Sequence, residues 1–289
     1  QIYAAAQALA AASNSVLGVL PQAANSVGAD AIGFKATNNA VNPVAALNGS
    51  QKAVMLLNIE PDMDWAGSEA AKQALVQAQT VIALTPFQSE SLRELADVML
   101  PVTPSTETSG SFVSMEGRLQ SFHGVVKPYA QSRPMWKVLR VIGNELDLDG
   151  FDYTSSEEVL ARACINSDSI VGKLNNQVQN VASTGLQAAS GLVRVGGVGI
   201  YQTDSVVRRS APLQATVHAA IPAASVHPKT LAALQLTDAA QVVVKSGAAS
   251  VLVAVVADES VAENVVSLPL HPQNKVLGAM NNTIELGRG

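Results

Sequence analysis

Few residues in this sequence are spaced for chemistry. The four histidines, His123, His218, His227 and His271, lie far apart, and none stands three or four positions from another or beside a cysteine. Metal-binding histidines usually show such local spacing, so no metal site is expected. Cys164 is the single cysteine. It excludes an intrachain disulfide and any iron–sulfur cluster held by four thiolates of this chain, and on a short helix it reads as a small buried hydrophobe. Gly196-Gly197-Val198-Gly199 forms a glycine cluster, but no strand–turn–helix unit surrounds it, so it reads as a turn and not a phosphate cradle. The P-loop, G-x-S-x-G and H-E-x-x-H patterns are missing too. Glu107 and Glu116 could face each other across a hairpin base, yet spacing alone does not make an acid/base pair. No catalytic residue is expected.

Composition bounds what could surround such residues. At 289 residues the chain suggests two domains, each able to bury a core. Hydrophobic residues are 48% and charged residues 14%, so the chain is globular, and with only 4% aromatics its core rests on Ala, Val and Leu. A net charge of −5 without any Lys/Arg run argues against nucleic acid as a partner. No apolar run approaches the roughly 18–20 residues that cross a bilayer, so no direct membrane insertion is expected. The opening QIYAAAQALAAA lacks a basic n-region and a Met, and reads as a fragment boundary inside a helix.

The first half alternates between helix and strand. Helices are expected at Gln1–Ala12, Ala23–Ile32, Ser68–Ala78 and Ser89–Ala96. Strands are expected at Val16–Leu20, Ala53–Ile59, Thr80–Leu84 and Asp97–Leu100, with a loop over Ala36–Ser50. Apolar strands separated by helices predict an open, mainly parallel sheet with helices on both faces. Then Ser111–Ser114 and Arg118–Phe122 flank Met115-Glu116-Gly117, a hairpin turn in which Gly117 supplies a positive φ. Helices follow at Pro134–Leu146 and Ser156–Cys164. The segment 165–200 is rich in Asn, Gln, Ser and Gly and reads as a linker or surface excursion, with a weak helix over Val178–Leu192. After a short helix at Val226–Leu234, Val-rich strands at Gln241–Lys245, Ser250–Val256 and Val265–Leu268 predict a small β-barrel. The expected division is an α/β domain over 1–164, the linker over 165–200 and the barrel over 201–289.

The stretch ELADVMLPVTPSTETSGSFVSMEGRLQSFHGVVKPYAQSRPMWKVLRVIGNEL carries a long ordered pattern: Ala96, Asp97, Val98, Leu100, Pro101, Glu107, Gly110, Phe112, Glu116, Gly117, Arg118, Gln120, Arg133, Pro134 and Trp136. It resembles the molybdopterin oxidoreductase superfamily. Leu20–Phe34 (LPQAANSVGADAIGF) and Ile200–Thr216 (IYQTDSVVRRSAPLQAT) resemble the large iron–sulfur subunit of respiratory NADH:quinone oxidoreductase, complex I. The stretch VHPKTLAALQLTDAAQVVVKSG resembles the superfamily's C-terminal, double-psi-like barrel.

This resemblance implies a subunit of NADH:quinone oxidoreductase, which passes electrons from NADH through flavin and iron–sulfur clusters to quinone. The segment would be a non-catalytic scaffold, inactive alone and docked to other subunits of the complex on the cytoplasmic peripheral arm at the inner membrane. Its iron–sulfur clusters would lie upstream. Molybdopterin is not expected, because catalytic relatives carry a G-x-N-P turn where this chain reads Asn58-Ile59-Glu60-Pro61, and a carboxylate there would repel a diphosphate. Ser114 also replaces the hairpin Asn, and Leu84-Thr85 stands where relatives place an Asp. No cofactor-binding residue is therefore assigned; Glu107, Gly110, Glu116, Gly117, Arg118 and Arg133 stand only as family-motif positions. The alternative is the C-terminal half of a molybdenum or tungsten bis-pterin oxidoreductase such as a formate dehydrogenase. A free-standing protein-binding module is a third reading.

Overall fold

The computed structural model describes residues 2–21, 23–34, 51–65, 68–163, 165–175, 191–278 and 280–289. Cys164, the Ala36–Ser50 loop and the weak helix expected from Val178 lie wholly or almost wholly outside them. The chain forms two compact units, each made of two stretches: Gln1–Pro43 with Pro101–Gln187, and Val44–Leu100 with Ala188–Gly289.

The first unit contains helices α1 (Ile2–Ser13) and α2 (Ser26–Ala31) and the antiparallel hairpin of β4 (Gly110–Val113) and β5 (Leu119–Phe122). Helices α6 (Met135–Glu145), α7 (Ser156–Arg162) and α8 (Ser167–Val171) follow. Gly117 turns the hairpin at φ 83°. The expected strand at Val16–Leu20 does not form: this stretch is coil, with Val16 and Leu20 exposed. A short apolar run without a paired edge gains no ladder hydrogen bonds. Asn25 ties α2 to the hairpin, since its Oδ1 accepts from the Val113 amide at 2.9 Å. Gly28 leaves the room for that amide group, because a Cβ there would fall 2.2 Å from Asn25 Oδ1.

The second unit joins a sheet and a barrel. The sheet has the order β1 (Val54–Leu57), β2 (Val81–Thr85), β3 (Val98–Pro101), and β1 and β2 run parallel, Val54 beside Val81. Helices α3 (Pro61–Asp64), α4 (Ser68–Val76) and α5 (Glu90–Leu95) connect the strands. Leu56, Leu75, Val81, Ala83 and Leu92 make the sheet's core. Ser89 caps α5 by accepting the Leu92 amide.

The barrel closes through six strands in the order β10-β6-β11-β8-β9-β7. They are β6 (Leu192–Val195), β7 (Ala224–Val226), β8 (Gln241–Ser246), β9 (Ala249–Ala257), β10 (Val265–Ser267) and β11 (Thr283–Arg288). Between them lie α9 (Ala211–Gln214) and α10 (Pro228–Ala233). β10 with β6 and β7 with β9 are parallel pairs, and the others are antiparallel. The sequence reading missed β6, β7 and β11, and β6 falls inside the stretch expected to be a linker. Val226, Val242, Val244, Val266, Leu268 and Ile284 fill the interior. The mixed α/β class with a parallel sheet and a small barrel holds as expected.

Candidate functional site

In open α/β sheets ligands sit beyond the carboxyl ends of the strands. At the end of β1 the backbone turns at Asn58, which takes φ 54°. Glu60 follows at the start of α3, and only 3% of it is exposed. A buried carboxylate demands partners. Glu60 finds them in the segment before α9: Arg208 Nη2 donates to Oε1 at 2.8 Å, Arg209 Nη1 to Oε1 at 2.9 Å and Arg209 Nη2 to Oε2 at 2.6 Å.

The cluster extends on both sides. Asp64 Oδ2 accepts the Glu60 amide at 2.7 Å, and Asp64 Oδ1 accepts Arg208 Nη1 at 2.6 Å. Lys275 Nζ donates to the Asp62 carbonyl at 2.5 Å, and Ser91 donates to the Asp62 carboxylate. At the end of β2, Thr85 accepts the Phe87 amide at 3.1 Å, and the Arg209 guanidinium lies 4.1 Å over the Phe87 ring. Burial lowers the Arg208 guanidinium, but hydrogen bonds and charge from Asp64 and then Glu60 outweigh it and raise it above its ordinary value. Three carboxylates (Glu60, Asp62, Asp64) thus meet three cations (Arg208, Arg209, Lys275), and the edge carries no net charge.

The family-motif positions lie in the first unit. Glu107 and Arg133 line an open cleft of about 810 Å³ that also holds His123, Trp136 and Lys137. Gly110 lines a second cavity of about 430 Å³ beside Asn25 and Leu119. Glu116, Gly117 and Arg118 line neither cavity. The Glu107 carboxylate accepts the Tyr129 amide at 2.8 Å. The indole N–H of Trp136 is buried without a partner among the described residues. The arginines of the edge cluster were visible in the sequence only as part of the Ile200–Thr216 resemblance. No spacing signal joins them to Glu60, which lies 148 positions before Arg208.

A parallel sheet joined to a closed six-stranded barrel defines a mixed α/β protein. The chain belongs to the molybdopterin oxidoreductase family. That family's model matches residues 1–145, and the model of the molybdopterin dinucleotide binding domain matches residues 192–286.

A protein described as a formate dehydrogenase of Staphylococcus aureus is 38% identical over 65 residues, covering 22% of this chain and 6% of that protein. The alpha subunit of the NADPH-Fe(3+) oxidoreductase of Geobacter sulfurreducens is 31% identical over 98 residues, 34% of this chain and 12% of that one. Each match spans only a small part of the relative. The acetylene hydratase of Pelobacter acetylenicus shares the fold at a TM-score of 0.54 and 15% identity, covering 78% of this chain and 38% of that structure.

These matches overturn the expectation that molybdopterin is absent, since the barrel stretch matches a domain that binds its dinucleotide. The physical argument behind that expectation fails as well. Glu60 is taken up by two guanidiniums, so an anion at the strand ends meets a neutral edge. At the strand ends the Thr85 hydroxyl and the Phe87 amide are spent on each other's residue, which leaves the Arg209 guanidinium, its side chain 35% open, as the cationic donor there that suits an anionic group. Among the described residues no helix is long and apolar enough to cross a membrane.

Proposed function

We propose that this chain is the cofactor-holding C-terminal part of a molybdenum or tungsten oxidoreductase of the formate dehydrogenase kind. The observation that carries this reading is the pair of family matches, one over the sheet and one over the barrel, with a charge-neutral edge at the strand ends. When bound, the metal–pterin group supplies two-electron exchange with the substrate. The residues of this chain that would hold it are Asn58 and Arg209; their work is to bind and orient it. The test is metal and pterin analysis of the full-length protein carrying this segment, with formate-dependent dye reduction beside it. Stoichiometric molybdenum or tungsten with a pterin dinucleotide is the expected result. A protein free of both would overturn the reading.

A second reading draws on the Ile200–Thr216 segment and its resemblance to the large iron–sulfur subunit of NADH:quinone oxidoreductase. In that case the chain is scaffold within the peripheral arm of a respiratory complex, docked to its other subunits. Co-purification with flavin- and quinone-reactive subunits, without pterin, would favour it.

A further inference from the structure

We propose that Arg209 is the anion contact at the sheet's carboxyl edge and that Glu60 is the positioning residue that holds it there. The inference deepens the cofactor reading above and rests on it. A guanidinium carries five N–H groups. Three on Arg209 are spent inside the protein, two on Glu60 and one on the Ser205 carbonyl at 2.9 Å. Among the described residues, its Nε–H and the second Nη2–H have no protein acceptor. The side chain is 35% exposed, so these donors have access to a ligand.

Arg208 offers a contrast within the same dipeptide. Its side chain is 4% exposed, and its Nη groups go to Asp64, Gln202 and Glu60. Its role is internal. The two arginines therefore divide the work: Arg208 fastens the segment to Glu60 and Asp64, and Arg209 presents an unspent edge.

That edge is already oriented. Both oxygens of Glu60 grip Arg209 in a bidentate pair, and Phe87 supports the guanidinium plane from one face at 4.1 Å. Little side-chain freedom remains to be lost on binding. Because the cluster has no net charge, it recognises its ligand by directed N–H groups and not by a long-range field. Two adjacent N–H groups on one planar fork match two oxygens of a phosphate. The ligand class is a phosphate or diphosphate, as carried by a pterin dinucleotide.

The experiment uses the full-length protein with Arg209→Gln, Arg209→Lys and Glu60→Gln. It reads pterin and metal per folded molecule after gel filtration, together with the melting temperature of the cofactor-free form. For Arg209→Gln we expect retention to fall about tenfold, the scale of one charge-assisted contact, with melting nearly unchanged. Arg209→Lys restores part of it, and Glu60→Gln gives an intermediate loss. Wild-type cofactor content in Arg209→Gln, or a loss that merely follows lowered melting, would overturn the proposal. A wild-type protein without pterin would sink the cofactor reading instead. Calorimetry with inorganic pyrophosphate then decides the contact: binding lost in Arg209→Gln upholds it, and equal binding or none overturns it.

Discussion

Gly117 is held by two independent constraints. Its φ of 83° favours glycine, and a Cβ there would lie 2.9 Å from Val171 Cγ2 and 3.0 Å from Leu174 Cδ1. Gly117→Val adds both a backbone penalty and a clash with the chain at α8. We expect a loss of about 1–3 kcal/mol, read as a lower denaturant midpoint. An unchanged midpoint would show that the turn tolerates a branched residue. The conformational half of this constraint was legible in Met115-Glu116-Gly117, where a glycine between two strand-like runs asks for a left-handed turn. The packing half was not, because Val171 is remote in sequence. Glu60 shows the same limit more sharply. Its sequence context suggested a free carboxylate repelling phosphate, and only the fold brings Arg208 and Arg209 to it. A charge read without its partner gives the wrong sign to the local electrostatics.

Elements became legible where their side chains obeyed a simple period. The helix α6 was clear because Met135, Val138, Leu139 and Ile142 recur at helical spacing, and β8 and β9 were clear from their valines. The strand β6 was hidden because its inward positions are Leu192 and Arg194. An interior arginine breaks the apolar alternation that marks a strand, and Gly196-Gly197 beyond it looks like a linker. Arg194 is fully buried, and burial lowers its guanidinium from the ordinary value. It is held by the Leu268 carbonyl at 3.0 Å, Asn274 Oδ1 at 2.8 Å and the Gly278 carbonyl at 3.3 Å. It pins the connection between β10 and β11 to β6. Arg194→Ala leaves those acceptors unpaired and opens a cavity, so we expect the barrel to lose about 3 kcal/mol or more. Arg194→Lys should recover little, since one ammonium cannot span acceptors that a planar fork reaches together. Thermal unfolding of both variants checks this, and full rescue by lysine would mean that charge alone matters.

The whole molecule is built as two units that each take two stretches of chain, so residues far apart in sequence share one stability. The contact between Lys275 and Asp62 is an example within the second unit. That shared stability has a pH dependence that can be signed. His271 lies in the loop after β10, where burial lowers its pKa below the ordinary 6.5. Its Nδ1 accepts the Gln273 amide at 3.3 Å, which requires the unprotonated nitrogen. Its backbone N–H donates at 3.0 Å to the same Asn274 Oδ1 that receives Arg194, so a proton would add charge near a buried guanidinium. Lys275 and Asp62 line the same small cavity, and one offsets the other. As pH falls through about 6.5, the unfolded chain takes up the proton before the folded one. The unfolded state then binds more protons, so stability is full above that value and declines on acidification. The exposed carboxylates with lowered values, such as Glu263 and Asp258, titrate below 4.5 and 3.8 and stay outside this window. Melting curves between pH 7.5 and 5.5, as chosen to bracket the histidine range, should fall for the wild type and flatten for His271→Gln. Parallel profiles would assign the decline to other groups and leave His271 without a part in it.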